Sequence, residues 1–147
     1  MQREERLVLR TLKKPSKEDT DNLSEWFCEV FGLSTKSGDM EAEMFREIAE
    51  NSASGDGVTS KVLNRRLSVP RSTVIYHLNR FIYSGLVIRR GRRYYLRSED
   101  MTSTIEELQS DMLREFSRII EFAEKFDEIV EGESNGRRRE KRERHRY

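Results

Sequence analysis

Between residues 58 and 97 the chain carries ten lysines and arginines and not one aspartate or glutamate. The rest of the chain is charged differently. Residues 1–57 hold 8 basic and 13 acidic side chains, residues 98–136 hold 3 and 12, and residues 137–147 hold 7 and 2. A formal net charge of +1 therefore hides a basic block set between two acidic ones. Forty residues without a carboxylate must either pair with the acidic segments of the same fold or meet a polyanion.

Other classes of protein drop out quickly. The chain has 147 residues, enough for one domain with an added arm or helix. No apolar run approaches the ~18 residues of a membrane helix. The first residues, MQREERLVLRTLKK, are too broken by arginine to read as a signal peptide. A single cysteine, Cys28, makes neither an internal disulfide nor a multi-thiolate metal site. A cytoplasmic location is the expectation. There are 2 glutamines and 5 asparagines, a lean toward thermophile composition.

The apolar spacing predicts mainly helix. Residues 1–19 read as a mobile polar arm, with an apolar patch at Leu7, Val8, Leu9 and Leu12. A helix over 20–32, capped by Thr20 or Asp21, carries Leu23, Trp26, Phe27, Val30 and Phe31 at three- and four-residue spacing and stops at Gly32. Asp39 caps a second helix to about Ser52, with Met40, Met44, Phe45, Ile48 and Ala49 on one face. Gly55-Asp56-Gly57 reads as a turn. A short helix follows over 60–67, capped by Thr59, then a tight turn at Ser68-Val69-Pro70 and a helix over 71–83 that ends at Gly85. Leu86-Val87-Ile88 and Tyr94-Tyr95-Leu96 are β-prone runs joined by Arg89-Arg90-Gly91-Arg92-Arg93, a hairpin with Gly91 at its turn. Ser98 or Ser103 caps a last helix, 99–131. Its stripe holds Ile105, Met112, Ile119 and Phe126 at one heptad position, and Leu108, Glu115, Phe122 and Ile129 at the companion one. The tail, 132–147, reads as disordered and basic.

Short helix, tight turn, helix and arginine-rich hairpin describe a winged helix-turn-helix over 39–97. At 100° per residue, Val74, Leu78, Phe81 and Ile82 share the core face of the second helix. Ser72, Thr73, Tyr76, Asn79, Arg80 and Tyr83 share the other, with Arg71 at its start. Arginine forks to guanine, asparagine to adenine, and hydroxyls reach phosphate, so Arg71, Ser72, Thr73, Tyr76, Asn79 and Arg80 are the candidate readers of double-stranded DNA. Arg89, Arg90, Arg92 and Arg93 of the wing are candidates for backbone or minor-groove contact. His77 flanks the core face, and a buried, hydrogen-bonded role suits it better than a ligand role.

The segment LSVPRSTVIYHLNRFIYSGLVIRRGRRYYL resembles the DNA-binding core of ArsR/MarR-type winged-helix transcription regulators. The detailed likeness covers roughly 67–97 and the layout about 39–131. The resemblance implies a homodimeric, sequence-specific regulator with an appended dimerisation helix. The chain departs from the metal-sensing members in having one cysteine and only His77 and His145, so no metal site of that type is expected. No phosphate loop, HExxH, nucleophile elbow or paired CxxC occurs, so no catalytic residue, cofactor or metal is expected.

Dimerisation is assigned to Ile105, Leu108, Met112, Phe116, Ile119, Phe122, Phe126 and Ile129, supported by Trp26 and Phe27 of residues 20–33. Such a dimer sets two recognition helices about 34 Å apart, one duplex turn. A protein–protein interaction module is the competing reading, but it has no need of ten uncompensated cations.

Overall fold

A computed structural model describes residues 13–33 and 38–145. The elements are α1 (Thr20–Val30), α2 (Gly38–Ala53), β1 (Val58–Thr59), α3 (Ser60–Leu67), α4 (Arg71–Ser84), β2 (Val87–Arg90), β3 (Arg93–Leu96) and α5 (Met101–Arg144). The protein is mainly helical with one small antiparallel sheet. It divides into two units, residues 1–108 and 109–147, with α5 contributing to both. The apolar patch at Leu7–Leu12, residues 34–37 and the side chain of Asp39 lie outside what is described.

Local chemistry sets most boundaries. Asp19 caps α1, its carboxylate accepting from the Asn22 amide at 2.8 Å. That is one residue before the expected cap, because Thr20 already has helical geometry. Gly32, at φ +68°, stops the helix and lets the Leu33 amide reach the Cys28 carbonyl at 2.8 Å. Thr59 caps α3 by accepting from the Val62 amide. Pro70 leads into α4, whose end is Gly85 at φ +87°. A Cβ on Gly85 would stand 2.7 Å from Leu108, so side-chain packing as well as dihedral angle demands glycine there.

The sheet order is β1-β3-β2. The expected hairpin is present: Val87 pairs with Leu96, Ile88 with Tyr95, Arg89 with Tyr94 and Arg90 with Arg93, around Gly91 at φ +63°. The third strand was not expected. Val58 pairs with Tyr94 and Thr59 with Arg93, a two-residue strand too short for any periodicity to announce.

The core of the first unit joins all its elements. Met44 and Ile48 of α2, Leu63 of α3, Val74, Leu78 and Phe81 of α4, and Leu86 are fully buried. Full burial of such a side chain stabilises by roughly 1.5–3 kcal/mol. Phe45 stacks obliquely on Phe81 with ring centroids 5.8 Å apart, and Phe27 adds to the pair at 6.5 Å.

Helix α5 departs most from expectation. Asp100, rather than Ser98 or Ser103, caps it by accepting from the Ser103 amide at 2.7 Å. Thr104 is buried and ties the start together, accepting from the Ser98 amide and donating to the Asp100 carbonyl. The helix then continues to Arg144, where the sequence pattern ended it near 131 and left 132–147 disordered. Gly132 and Gly136 each cost about 1 kcal/mol relative to alanine, but they do not forbid a helix. The Glu-, Lys- and Arg-rich residues beyond them are good helix formers. Lys141, Arg142 and Arg144 also suit the negative end of the helix dipole.

Candidate nucleic-acid interface

Helix α4 has the two faces its period demands. Val74, His77, Leu78 and Phe81 are buried, whereas Arg71, Ser72, Tyr76, Asn79 and Tyr83 are exposed and Thr73 is half-buried. The outward face is thus lined by one guanidinium, hydroxyls and an amide, with no carboxylate. Each can donate to a phosphate or a base edge.

The wing presents its arginines on an ordered base. Arg89 lies over the Tyr94 ring at 5.7 Å and donates through Nε to the Gly91 carbonyl at 2.8 Å. Arg90 lies over the Tyr95 ring at 5.8 Å. Arg93 donates to the Asp56 carbonyl at 3.0 Å. Arg89, Arg90, Arg92 and Arg93 are all exposed. Tyrosine faces hold the guanidinium stems while leaving charge available at the surface. Lys61 and Arg65 of α3 are exposed as well, and the sequence reading did not single them out.

Arg80 does not belong with this set. Its guanidinium reaches the Glu41 carboxylate at 3.3 Å and the Gly32 carbonyl at 3.4 Å, and it is largely covered. Glu41 is fully buried and also stands 2.7 Å from His77 Nδ1. The two groups are in close polar contact inside the core. Glu41 Oε1 has no hydrogen-bond partner among the described residues. Burial pushes the Glu41 carboxyl above the usual carboxylate range, against the opposing pull of Arg80 and His77. The sequence contained a signal for this. Glu41 stands four residues before Phe45 and seven before Ile48, on their core face, and Arg80 follows His77 by three.

Two further cations of the basic block also find carboxylates. Arg66 pairs with Glu47 at 2.6 Å and Arg97 with Glu107 at 3.1 Å. Intramolecular pairing thus accounts for Arg66, Arg80 and Arg97, and the wing arginines keep their exposure. Cys28 lies in the core beside this network, its thiol pushed up to about 12, mainly by burial and then by Glu41. It packs as a small apolar group.

No protein-family model, curated protein or solved structure matches the chain.

The expected dimer residues divide between the two units. Leu108 is buried in the core of residues 1–108, and Phe27 and Ile105 pack against that core. Trp26 meets Phe27 edge-on at 5.3 Å and donates from its indole to the Lys13 carbonyl. All four make contacts within the chain: Ile105 and Leu108 because the stripe of α5 turns inward at its first two turns, Trp26 and Phe27 because α1 packs on the same core. Met112 is half-buried. Phe116, Ile119, Phe122, Phe126 and Ile129 are each more than half exposed, and so are Leu113 and Ile120, which the sequence reading left out. Among the described residues no cluster of three histidine, cysteine or acidic side chains could hold a metal ion, and no helix is long and apolar enough to cross a membrane.

Proposed function

We propose that the protein is a homodimeric regulator of transcription that binds double-stranded DNA in the cytoplasm, with α4 in the major groove and the wing on the flanking backbone or minor groove. The observation that carries this reading is the carboxylate-free outward face of α4, joined in sequence to a wing with four exposed arginines. Arg71, Ser72, Thr73, Tyr76 and Asn79 set the register and read bases. Arg80 instead fixes α4 to α2. Arg89, Arg90, Arg92 and Arg93 supply charge.

A gel-shift series against salt with random duplex DNA tests the proposal. The expected result is micromolar binding that weakens steeply with salt, and no binding at low salt rejects it. Arg71→Ala or Asn79→Ala costs about 1–3 kcal/mol at the preferred site and relaxes preference at one base pair. Arg90→Ala with Arg92→Ala weakens all sequences alike, each lost phosphate contact lowering the salt slope by roughly 0.9. Selection from a random duplex library then gives site length and symmetry. The exposed apolar band of α5 favours a second reading, a winged-helix module that binds another protein. That reading predicts no retention of DNA in the same gel.

A further inference from the structure

The apolar residues of α5 beyond Leu108 lie on one side of the helix. Met112, Phe116, Ile119, Ala123, Phe126 and Val130 follow one another at alternating spacings of four and three, which is the spacing of a two-helix seam. Phe122 and Ile129 flank it on one edge, Leu113 and Ile120 on the other. Nearly all of this surface is open. An apolar patch of more than a few hundred Å² on a lone chain marks a contact surface.

The charges decide what covers it. Carried on past Val130, the same seam positions hold Glu133, Arg137, Glu140 and Arg144. A second copy lying parallel and in register sets each of these against itself, two carboxylate layers alternating with two guanidinium layers. Like charges facing across a seam are among the strongest selectors of helix orientation.

Reversed, the same helix is close to self-complementary about residue 121. Met112 then faces Val130, Phe116 faces Phe126 and Ile119 faces Ala123 of the other copy. Ile120 meets Ile120 on one flank and Phe122 meets Phe122 on the other. Glu115 and Asp127, also symmetric about 121, fall toward the two ends of the apolar stretch. Glu133 comes level with Gln109, and no seam position meets its own charge. The basic residues 137–144 come level with residues 98–105, which hold Glu99 and Asp100, instead of with a second basic segment.

We infer that two copies of this chain pair through an antiparallel helix seam centred on residue 121, built from residues 112–130 of each α5. The inference rests on the dimer reading above and adds its orientation and register. The pairing is isologous, so one two-fold axis passes beside residue 121 and closes the assembly at two chains.

Single cysteines test it in the full-length protein. Met112→Cys and Val130→Cys are prepared separately and mixed under a reversible thiol–disulfide buffer, with circular dichroism and light scattering as controls for folding and dimerisation. Cys28 is buried, and the parent chain gives the background. A disulfide needs its Cα atoms within about 7 Å, so the mixed 112–130 bond, read by mass spectrometry, exceeds either homodisulfide by more than about tenfold. In the antiparallel seam the two Met112 positions are about 27 Å apart along the helix, 18 residues at 1.5 Å each, so neither variant alone cross-links. A 112–112 or 130–130 bond in a dimeric sample, or a dimer with no 112–130 bond, overturns the antiparallel seam but leaves the dimer standing. A parent chain that is monomeric at micromolar concentration overturns both.

Discussion

Up to Leu108 the large apolar side chains of the protein are gathered into one core, and from Leu113 onward they are turned outward. The two regions draw on similar residues, phenylalanine, isoleucine and leucine at helical spacing. What separates them is how many elements are available to cover each one. Phe81 meets Phe45 in a core that α1, α2, α3 and the sheet all enter, whereas Phe126 has only its own helix in the second unit. An apolar periodicity therefore announces a surface that will be covered without saying by what. Stability in the first region comes from within the chain. In the second the apolar side chains are left exposed by the chain itself.

The contrast can be broken at graded points, each read through the single tryptophan, Trp26, which belongs to the first unit. The largest effect falls on Phe81. Phe81→Ala empties the centre of the core and lowers stability by about 3–5 kcal/mol in a urea titration. A loss near zero means the core lies elsewhere. Next is Thr104→Val, which keeps the shape of a fully buried side chain but deletes the hydroxyl serving the Ser98 amide and the Asp100 carbonyl. The Asp100 carbonyl keeps the Thr104 backbone amide, so the Ser98 amide alone loses its partner, at a cost of about 1–3 kcal/mol.

A smaller, pH-dependent effect belongs to Glu41. Its carboxyl is held above the ordinary range in the folded chain by burial, so the folded state keeps a proton that the unfolded state releases near 4.5. Native stability therefore falls as pH rises above about 4.5, until the folded carboxyl also ionises. Glu41→Gln removes this dependence, so its stability relative to the parent climbs over the same interval. Parallel curves across that range contradict the burial argument.

The smallest effect on the tryptophan transition comes from Ile119→Glu. If the proposed dimer forms, this variant sediments as a monomer, while the transition of residues 13–108 moves by less than about 0.5 kcal/mol, as for a surface substitution. If Ile119→Glu shifts the tryptophan transition as far as Phe81→Ala does, the two regions are one cooperative unit and the contrast fails.

Features fixed by neighbouring residues were legible in the sequence. Thr59 as a cap, the helix over 60–67, the stop at Gly85 and the turn at Gly91 each depend on a handful of adjacent residues. The outward face of α4 was legible for the same reason, since a helix sorts its own side chains by period. Strand β1 was not, because its partner lies some 35 positions away. The period of α4 puts Arg80 on the outward face, but its carboxylate partner, Glu41, sits on another helix, where only the core-face spacing with Phe45 and Ile48 signals it. Leu108 and Ile105 satisfied the heptad yet entered the first core. A stripe does not record where along a helix it changes partners.

Strand β1 puts two duties on one residue. Thr59 caps α3 and is also the residue that pairs β1 with Arg93 of the wing. Next to it, Gly57 has its φ at +68°, and a Cβ there would stand 2.6 Å from the Tyr95 ring. In evolutionary terms residues 57–60 are a segment of fixed length. One residue inserted or deleted there would shift the helix start and the sheet register together, and no single compensating substitution restores both. At the tip of the same wing a Cβ on Gly91 meets nothing within 4 Å. Lineages descending from this chain should therefore vary in length around 91 and hold constant length around 58.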